Sequence, residues 1–310
     1  MRRAVFAIIL ILLALPATLA AGWLVSLGRE AAAPEPTGRI AETAAGPIHV
    51  TEWGAAEAPT VLLLHGTGAW GGLWSGTGEA LARAGWRAVA MDLPPFGFTP
   101  RTPGMGYART DQADRVAALA ATLDRPTLVA HSFGAGPGAE AAMRRPELFS
   151  GLVIVSGAIG LGAEGEGPDL PAALRLGVSG TAVLNPRLTG PFLRAFTYRD
   201  DAATPETIAI LRAPLTGKGM TQGVAEWMPS LLGADPEALS HRPESWAALE
   251  LPTAFIWGDR DDVTPLAQGE ALAALVPGAA LAVLEEVGHI PQIEAPEAFL
   301  DALVAALGHP

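Results

Sequence analysis

The 310-residue chain has no cysteine, so covalent chemistry would have to run through a Ser or Thr hydroxyl, a Lys amine or a carboxylate. One serine stands out by its surroundings. In Thr127–Gly136 (TLVAHSFGAG) an apolar, strand-like run leads into Ser132. Small residues lie two places before it (Ala130) and two places after it (Gly134), and a helix-like stretch follows. A sharp strand-to-helix turn lifts such a hydroxyl above a sheet and leaves no room for large flanking side chains. It also aims the N-terminus of the following helix at the point where negative charge would develop. A serine nucleophile needs a base. Of the six histidines, His289 follows the last strand-like run, where a loop can reach back over the serine. His49 lies in an edge-strand pattern, His241 in a stretch without strands and His309 at the chain end. The base in turn needs an acid to orient it, and Asp259, Asp261 and Asp262 share one loop after another apolar run.

These residues are spaced by alternating apolar and amphipathic stretches. Thr60–Leu64, Trp86–Met91, Thr127–Ala130, Leu152–Val155, Thr253–Trp257 and Ala280–Leu284 read as buried strands. Runs with so few polar interruptions suit a parallel sheet covered on both faces. Leu73–Ala84, Asp111–Leu123, Ala139–Arg145, Leu266–Leu275 and Pro296–Leu307 read as the helices between them. Ile48–Trp53 alternates more strictly and fits an antiparallel edge strand. The fold class expected is therefore α/β, with a mostly parallel, doubly wound sheet. The rhythm breaks over residues 158–245, where no buried strand is found and helix-like pieces such as Pro191–Phe196 and Val224–Leu232 occur. The core is expected over 38–157 and 246–310, with 158–245 as an insertion covering the strand ends.

Five stretches of the chain resemble motifs of the α/β-hydrolase family. Ala130–Gly134 resembles its G-x-S-x-G nucleophile elbow, with Ala130 in place of the first Gly. Gly288–Pro296 (GHIPQIEAP) is similar to the stretch G-H-x-P-x-x-E-x-P that carries the family's base. Trp257–Pro265 (WGDRDDVTP) resembles its W-G-x-x-D-x-x-x-P loop, and that match selects Asp261 among the three aspartates. His65–Gly68 (HGTG) resembles the family's H-G loop, and Asp92–Gly97 (DLPPFG) its D-x-P-G-x-G turn, with Pro95 where Gly is usual. The resemblance implies a triad of Ser132, Asp261 and His289, and an oxyanion hole of the backbone N–H groups of Thr67 and Phe133. It places 158–245 at the family's helical cap and implies hydrolysis of a small ester through an acyl-serine, with no cofactor. Carbon–carbon bond hydrolysis, cofactor-free peroxidase chemistry and acyl transfer would use the same residues. Haloalkane dehalogenases and epoxide hydrolases of this fold carry Asp at the elbow, so Ser132 argues against both. Trp70 and Trp227, with Trp74 and Phe133, are candidates for an apolar pocket. A binding or sensing protein with little turnover is the alternative from another class.

With 20 basic against 32 acidic residues the net charge is −12, which argues against nucleic acid as a partner and leaves a small molecule. The sequence assigns no oligomeric state. Arg2 and Arg3 precede an uncharged stretch from Ala4 to Gly28. As a helix that stretch would be about 37 Å long, against about 30 Å for a hydrocarbon core. Residues 1–28 are thus expected to be a membrane anchor (a transmembrane helix) or a cleaved signal, and 29–37 a linker. The basic flank would place the hydrolase domain outside the cytoplasm, membrane-attached if uncleaved.

Overall fold

The computed structural model describes residues 2–30, 37–102, 104–165 and 167–308, with residues 2–14 as backbone alone. Eight strands form one sheet: β1 (Arg39–Thr43), β2 (Gly46–Trp53), β3 (Thr60–Leu64), β4 (Arg87–Met91), β5 (Thr127–His131), β6 (Gly151–Val155), β7 (Thr253–Gly258) and β8 (Ala280–Leu284). Their order is β1-β2-β4-β3-β5-β6-β7-β8. The hairpin of β1 and β2 joins antiparallel to β4; all the other pairs are parallel. Every residue of β3 and β6 is buried. That explains why these strands read as unbroken apolar runs.

The helices are α1 (Arg2–Glu30), α2 (Ser75–Arg83), α3 (Arg109–Ala120), α4 (Ala135–Arg144), α5 (Ala172–Val178), α6 (Thr189–Phe196), α7 (Pro205–Arg212), α8 (Met220–Leu232), α9 (Pro243–Ala247), α10 (Leu266–Leu275), α11 (Pro291–Glu294) and α12 (Pro296–Leu307). Alternate residues of β3 face opposite sides, as a pleat requires. Leu62 and Leu64 pack with Val116 of α3, Ala139 of α4 and Leu272 of α10. Val61 and Leu63 pack with Leu81 of α2 and Phe299 and Leu303 of α12. The sheet thus has a covering layer on each face, and the expected α/β architecture is observed.

Helices α5 to α9 lie between β6 and β7. The two roots of this segment are tied to each other and to the core. Gly162 N–H donates to His241 O at 2.8 Å, and the Glu140 carboxylate of α4 accepts from the N–H groups of Leu239 and Ser240 at 3.0 and 2.8 Å. Within it, Thr204 caps α7 by accepting from Thr207 N–H at 3.0 Å, and Pro205 occupies the first helical position.

The expectation of a transmembrane helix or signal at the N-terminus is corrected. Among the described residues no helix is long and apolar enough to cross a membrane. The part of α1 with described side chains instead packs on the inserted helices. A side chain added at Gly22 would collide with Thr181, one at Gly177 with Leu19, and one at Gly180 with the Gly22 backbone. Small residues on both sides are what allow so close an approach. Ser26 bonds Thr221 side chain to side chain at 2.5 Å. Arg29 and Glu30, read from sequence as the start of a linker, belong to α1, because the Glu30 carboxylate accepts from the N–H groups of Gly219 and Thr221 where α8 begins. Residues 31–36 of that linker lie outside the described residues, as does His309.

Candidate active site

Ser132 follows β5 directly and opens a single 3₁₀ turn, Ser132–Gly134, that runs into α4. Its φ is +51°, a left-handed value that costs a non-glycine residue about 1–3 kcal/mol. The turn is forced by crowding. A Cβ at Gly134 would stand 2.6 Å from the His65 carbonyl oxygen, and one at Gly66 would stand 3.0 Å from Ser132 Cβ. Pro137 falls in the first turn of α4, where its missing N–H leaves little unsatisfied.

The Ser132 hydroxyl lies 2.8 Å from His289 Nε2. His289 Nδ1 lies 3.1 and 3.0 Å from the two Asp261 oxygens. A carboxylate only accepts, so Nδ1 carries the proton and Nε2 is the bare acceptor for Ser132 Oγ–H. Asp261 is held in turn by the N–H groups of Val263 and Thr264 at 3.0 and 2.8 Å, and by Thr264 Oγ1 at 2.9 Å. Burial alone would raise the Asp261 pKa. The His289 ring and the Thr264 donors outweigh it and hold the carboxyl below its ordinary range. All three side chains are buried.

The loop carrying His289 is braced from both sides. The buried Glu294 carboxylate accepts from Gly288 and Ile290, which flank His289, at 3.0 and 2.9 Å. It also accepts from Tyr198 and Arg199 of the insertion at 2.8 and 3.1 Å. His131 bonds the His289 carbonyl oxygen at 2.8 Å. On the opposite side, His65 Nδ1 donates to Gly66 O at 2.8 Å while its Nε2 accepts from Leu93 N–H at 2.9 Å. Both ring nitrogens are thereby used in shaping the loop that carries Thr67. Asp92 fixes the neighbouring turns, accepting from Gly71 N–H at 2.7 Å and Phe98 N–H at 2.8 Å.

A cavity of about 260 Å³ opens onto Ser132 and His289. Gly66, Thr67 and Gly68 form one wall. The rest is apolar, with Leu73 and Ile290 from the core and Val183, Phe192, Leu193, Phe196, Leu211 and Leu215 from the insertion. Neither Trp70 nor Trp227 lines it. Trp70 is bonded through its indole N–H to Ile210 O at 2.7 Å and packs edge-on against Phe98. Trp227 is buried behind the site, edge-on to Phe96 and Phe133. Among the described residues, no three His, Asp or Glu side chains are grouped as a metal ion would need.

The structure brings Ser132, His289 and Asp261 into one hydrogen-bonded line, sets Asp262 at the surface, and leaves Asp259 on Val287 N–H and Arg260. Sequence reasoning passed over Thr264, His131 and Glu294. Glu294 stood in a motif already quoted, and His131 adjoined the serine, but neither position disclosed which backbone it would hold. The pocket residues from α6 and α7 carried no signal, because apolar side chains in short helices look alike whether they face a core or a cavity.

A family model described as the alpha/beta hydrolase fold matches residues 59–296. The chain is 30% identical over 259 residues to a pimeloyl-[acyl-carrier protein] methyl ester esterase of Chromobacterium violaceum, covering 81% of this chain and 95% of that one. It is 27% identical over 277 residues to a 2-hydroxy-6-oxononadienedioate/2-hydroxy-6-oxononatrienedioate hydrolase of Cupriavidus pinatubonensis, covering 84% and 91%. Among solved structures, a meta-cleavage product hydrolase from Pseudomonas fluorescens IP01 superposes with a TM-score of 0.70 at 23% identity, over 87% of this chain and 97% of that one.

Proposed function

This chain belongs to the alpha/beta hydrolase fold family, and we propose that within it the protein is a serine-dependent hydrolase of small, apolar carboxylic esters. The observation that carries the reading is the unbroken line from Ser132 Oγ through His289 to Asp261, set at the foot of an apolar cavity. Ser132 Oγ attacks the ester carbonyl as its proton passes to His289 Nε2, and Asp261 offsets the charge of the imidazolium. The tetrahedral oxyanion lies against the N–H groups of Thr67 and Phe133, each such donor being worth about 2.7–4 kcal/mol. His289 then returns the proton to the leaving alcohol, and an acyl-serine remains. Water, deprotonated by the same histidine, attacks the acyl carbon, releases the acid and restores Ser132.

The relative named as a methyl ester esterase supports an ester. A second reading, cleavage of a carbon–carbon bond beside a carbonyl, uses the same three side chains and is favoured by the likeness to the oxo-dienedioate hydrolase. The test is labelling with a fluorophosphonate followed by peptide mass mapping, together with turnover of short phenyl esters. Labelling confined to Ser132 with ester turnover supports the reading. Labelling without turnover of any ester favours the second. Neither labelling nor turnover overturns both.

A further inference from the structure

A second cavity, of about 440 Å³, is lined in part by Phe133. It shares Thr67 with the first cavity, and Thr264 stands on its wall. Its far end is polar, carrying Arg109, at the start of α3, and His241. Arg109 Nη1 donates to Ile159 O at 2.8 Å, to Ser240 Oγ at 3.0 Å and to His241 Nδ1 at 3.2 Å. All three acceptors are neutral. Glu140 and Asp235 act on Arg109 only from a distance, being taken up by Arg144 and by Thr110. Among the described residues, then, this guanidinium has no carboxylate partner. Burial brings it down to about 10, so it keeps its charge at neutral pH.

His241 adds a second polar group. Its Nδ1 lies 3.2 Å from Arg109 Nη1, which only donates, and 3.2 Å from Gly160 O, which only accepts. Its Nε2 is buried and has no hydrogen-bond partner among the described residues. A second histidine proton is disfavoured by burial and by the adjacent guanidinium. A guanidinium with no carboxylate partner on the wall of a cavity is what a carboxylate needs, since charge-assisted bonds to it replace the missing partner. Glu164, also on this wall, lies exposed at the rim, where water screens it.

We propose that this cavity is an anion subsite, in which Arg109 receives a carboxylate borne by one arm of the substrate while the apolar arm occupies the cavity at Ser132. This rests on the hydrolase reading above. The substrate class is then a monoanionic ester, apolar at one end.

The test compares phenyl butyrate with 4-carboxyphenyl butyrate, whose charge is on the alcohol arm, and with monophenyl glutarate, whose charge is on the acyl arm. In the wild-type protein kcat/KM for one anionic ester should exceed that of the neutral one by about tenfold. Arg109→Gln should abolish that preference and leave phenyl butyrate turnover standing. Because Arg109 also ties the insertion to the core, Arg109→Lys is the second variant. It keeps the charge but loses the planar fork, and should retain only part of the preference. Calorimetry with 4-butyramidobenzoate and with glutaric acid monoanilide on Ser132→Ala reads the subsite without turnover, and binding of the one that matches the preferred ester should weaken about tenfold when Arg109→Gln is added. An anion preference absent from the wild type, or unmoved by both substitutions, overturns the proposal. Arg109-dependent binding of free benzoate, with no preference between the esters, overturns the assignment to a substrate arm. If no ester is turned over but either amide binds through Arg109, the subsite stands and the ester reading falls.

Discussion

His131, the residue before the proposed nucleophile, donates from Nε2 to the backbone carbonyl oxygen of His289 at 2.8 Å. The carbonyl can only accept, so the proton sits on Nε2 and Nδ1 is bare, buried and unpartnered. The elbow thus grips the backbone of the proposed base while Ser132 meets its side chain.

Burial, not that contact, keeps the ring neutral, and this predicts how stability responds to acid. Burial, then the nearby His289 ring, lower His131 to about 3 from an ordinary 6.5. Between those values the unfolded chain binds a proton that the folded protein refuses. The contribution is therefore complete above about pH 6.5 and is lost as pH falls from there toward 3, at up to about 1.4 kcal/mol per pH unit. His65 and His241 are lowered in the same direction, but they remain when His131 alone is replaced. Urea midpoints at pH 7, 6 and 5 should decline less steeply in His131→Gln than in the wild type. Parallel declines would mean that His131 is not held neutral.

Replacing Ser132 separates chemistry from strain. Ser132→Ala should lower kcat by about 10⁶-fold, as loss of a triad serine does, with stability near that of the wild type. Ser132→Gly should be equally inactive yet about 1 kcal/mol more stable than Ser132→Ala, because glycine adopts a φ of +51° without a Cβ penalty. Thermal unfolding of the two variants decides the point. Equal stability would place the strain elsewhere.

Three neighbouring aspartates should differ sharply. Asp261→Asn leaves the size of the side chain but turns an acceptor-only group into an amide facing His289 Nδ1, favouring the wrong tautomer. A fall of about 10⁴-fold in kcat is expected. Asp259→Asn keeps an oxygen that can accept from Val287 N–H and gives up only a loose ion pair with Arg260, and Asp262→Asn alters an exposed side chain. Each should remain within a few-fold of wild type in steady-state kinetics. A crippled Asp259→Asn would instead show that the loop is misassigned.

The parts of this fold that could be read in advance are those where local spacing and burial agree. The helix Pro296–Leu307 carries its period in its own residues, and the strand before Ser132 carries an unbroken apolar run. β1 (Arg39–Thr43, RIAET) was not legible, because it is half polar and becomes a strand only by pairing with β2. Trp70 and Trp227 illustrate the same limit at the site. Their size suggested a pocket, but Trp70 is drawn to the carbonyl of Ile210 and Trp227 to Phe96 and Phe133, partners about 140 and 90–130 positions away in sequence. The N-terminal stretch misled for a related reason. An apolar run with glycines suits close packing on inserted helices as well as a lipid core, and its composition alone does not distinguish them.

Glu30 provides the last prediction. Its carboxylate accepts from Gly219 N–H at 3.0 Å, Thr221 N–H at 2.8 Å and Thr221 Oγ1 at 2.6 Å. These donors open α8, where the helix dipole leaves positive charge and unpaired N–H groups. No side chain of α8 supplies its own cap, since Gly219 stands at that position. Helix α8 in turn carries Val224 and Trp227, which pack with Phe133 beside the proposed oxyanion site. Glu30→Ala should therefore cost about 1–2 kcal/mol by urea unfolding, the usual value of a lost N-cap, and Glu30→Gln a smaller part of it, since the amide oxygen still accepts. Glu79→Ala, which removes an exposed partner of Arg83, should change stability by less than about 0.5 kcal/mol and serves as the control. If Glu30→Ala behaves like that control, α1 does not hold α8, and its packing on the inserted helices contributes nothing to the native state.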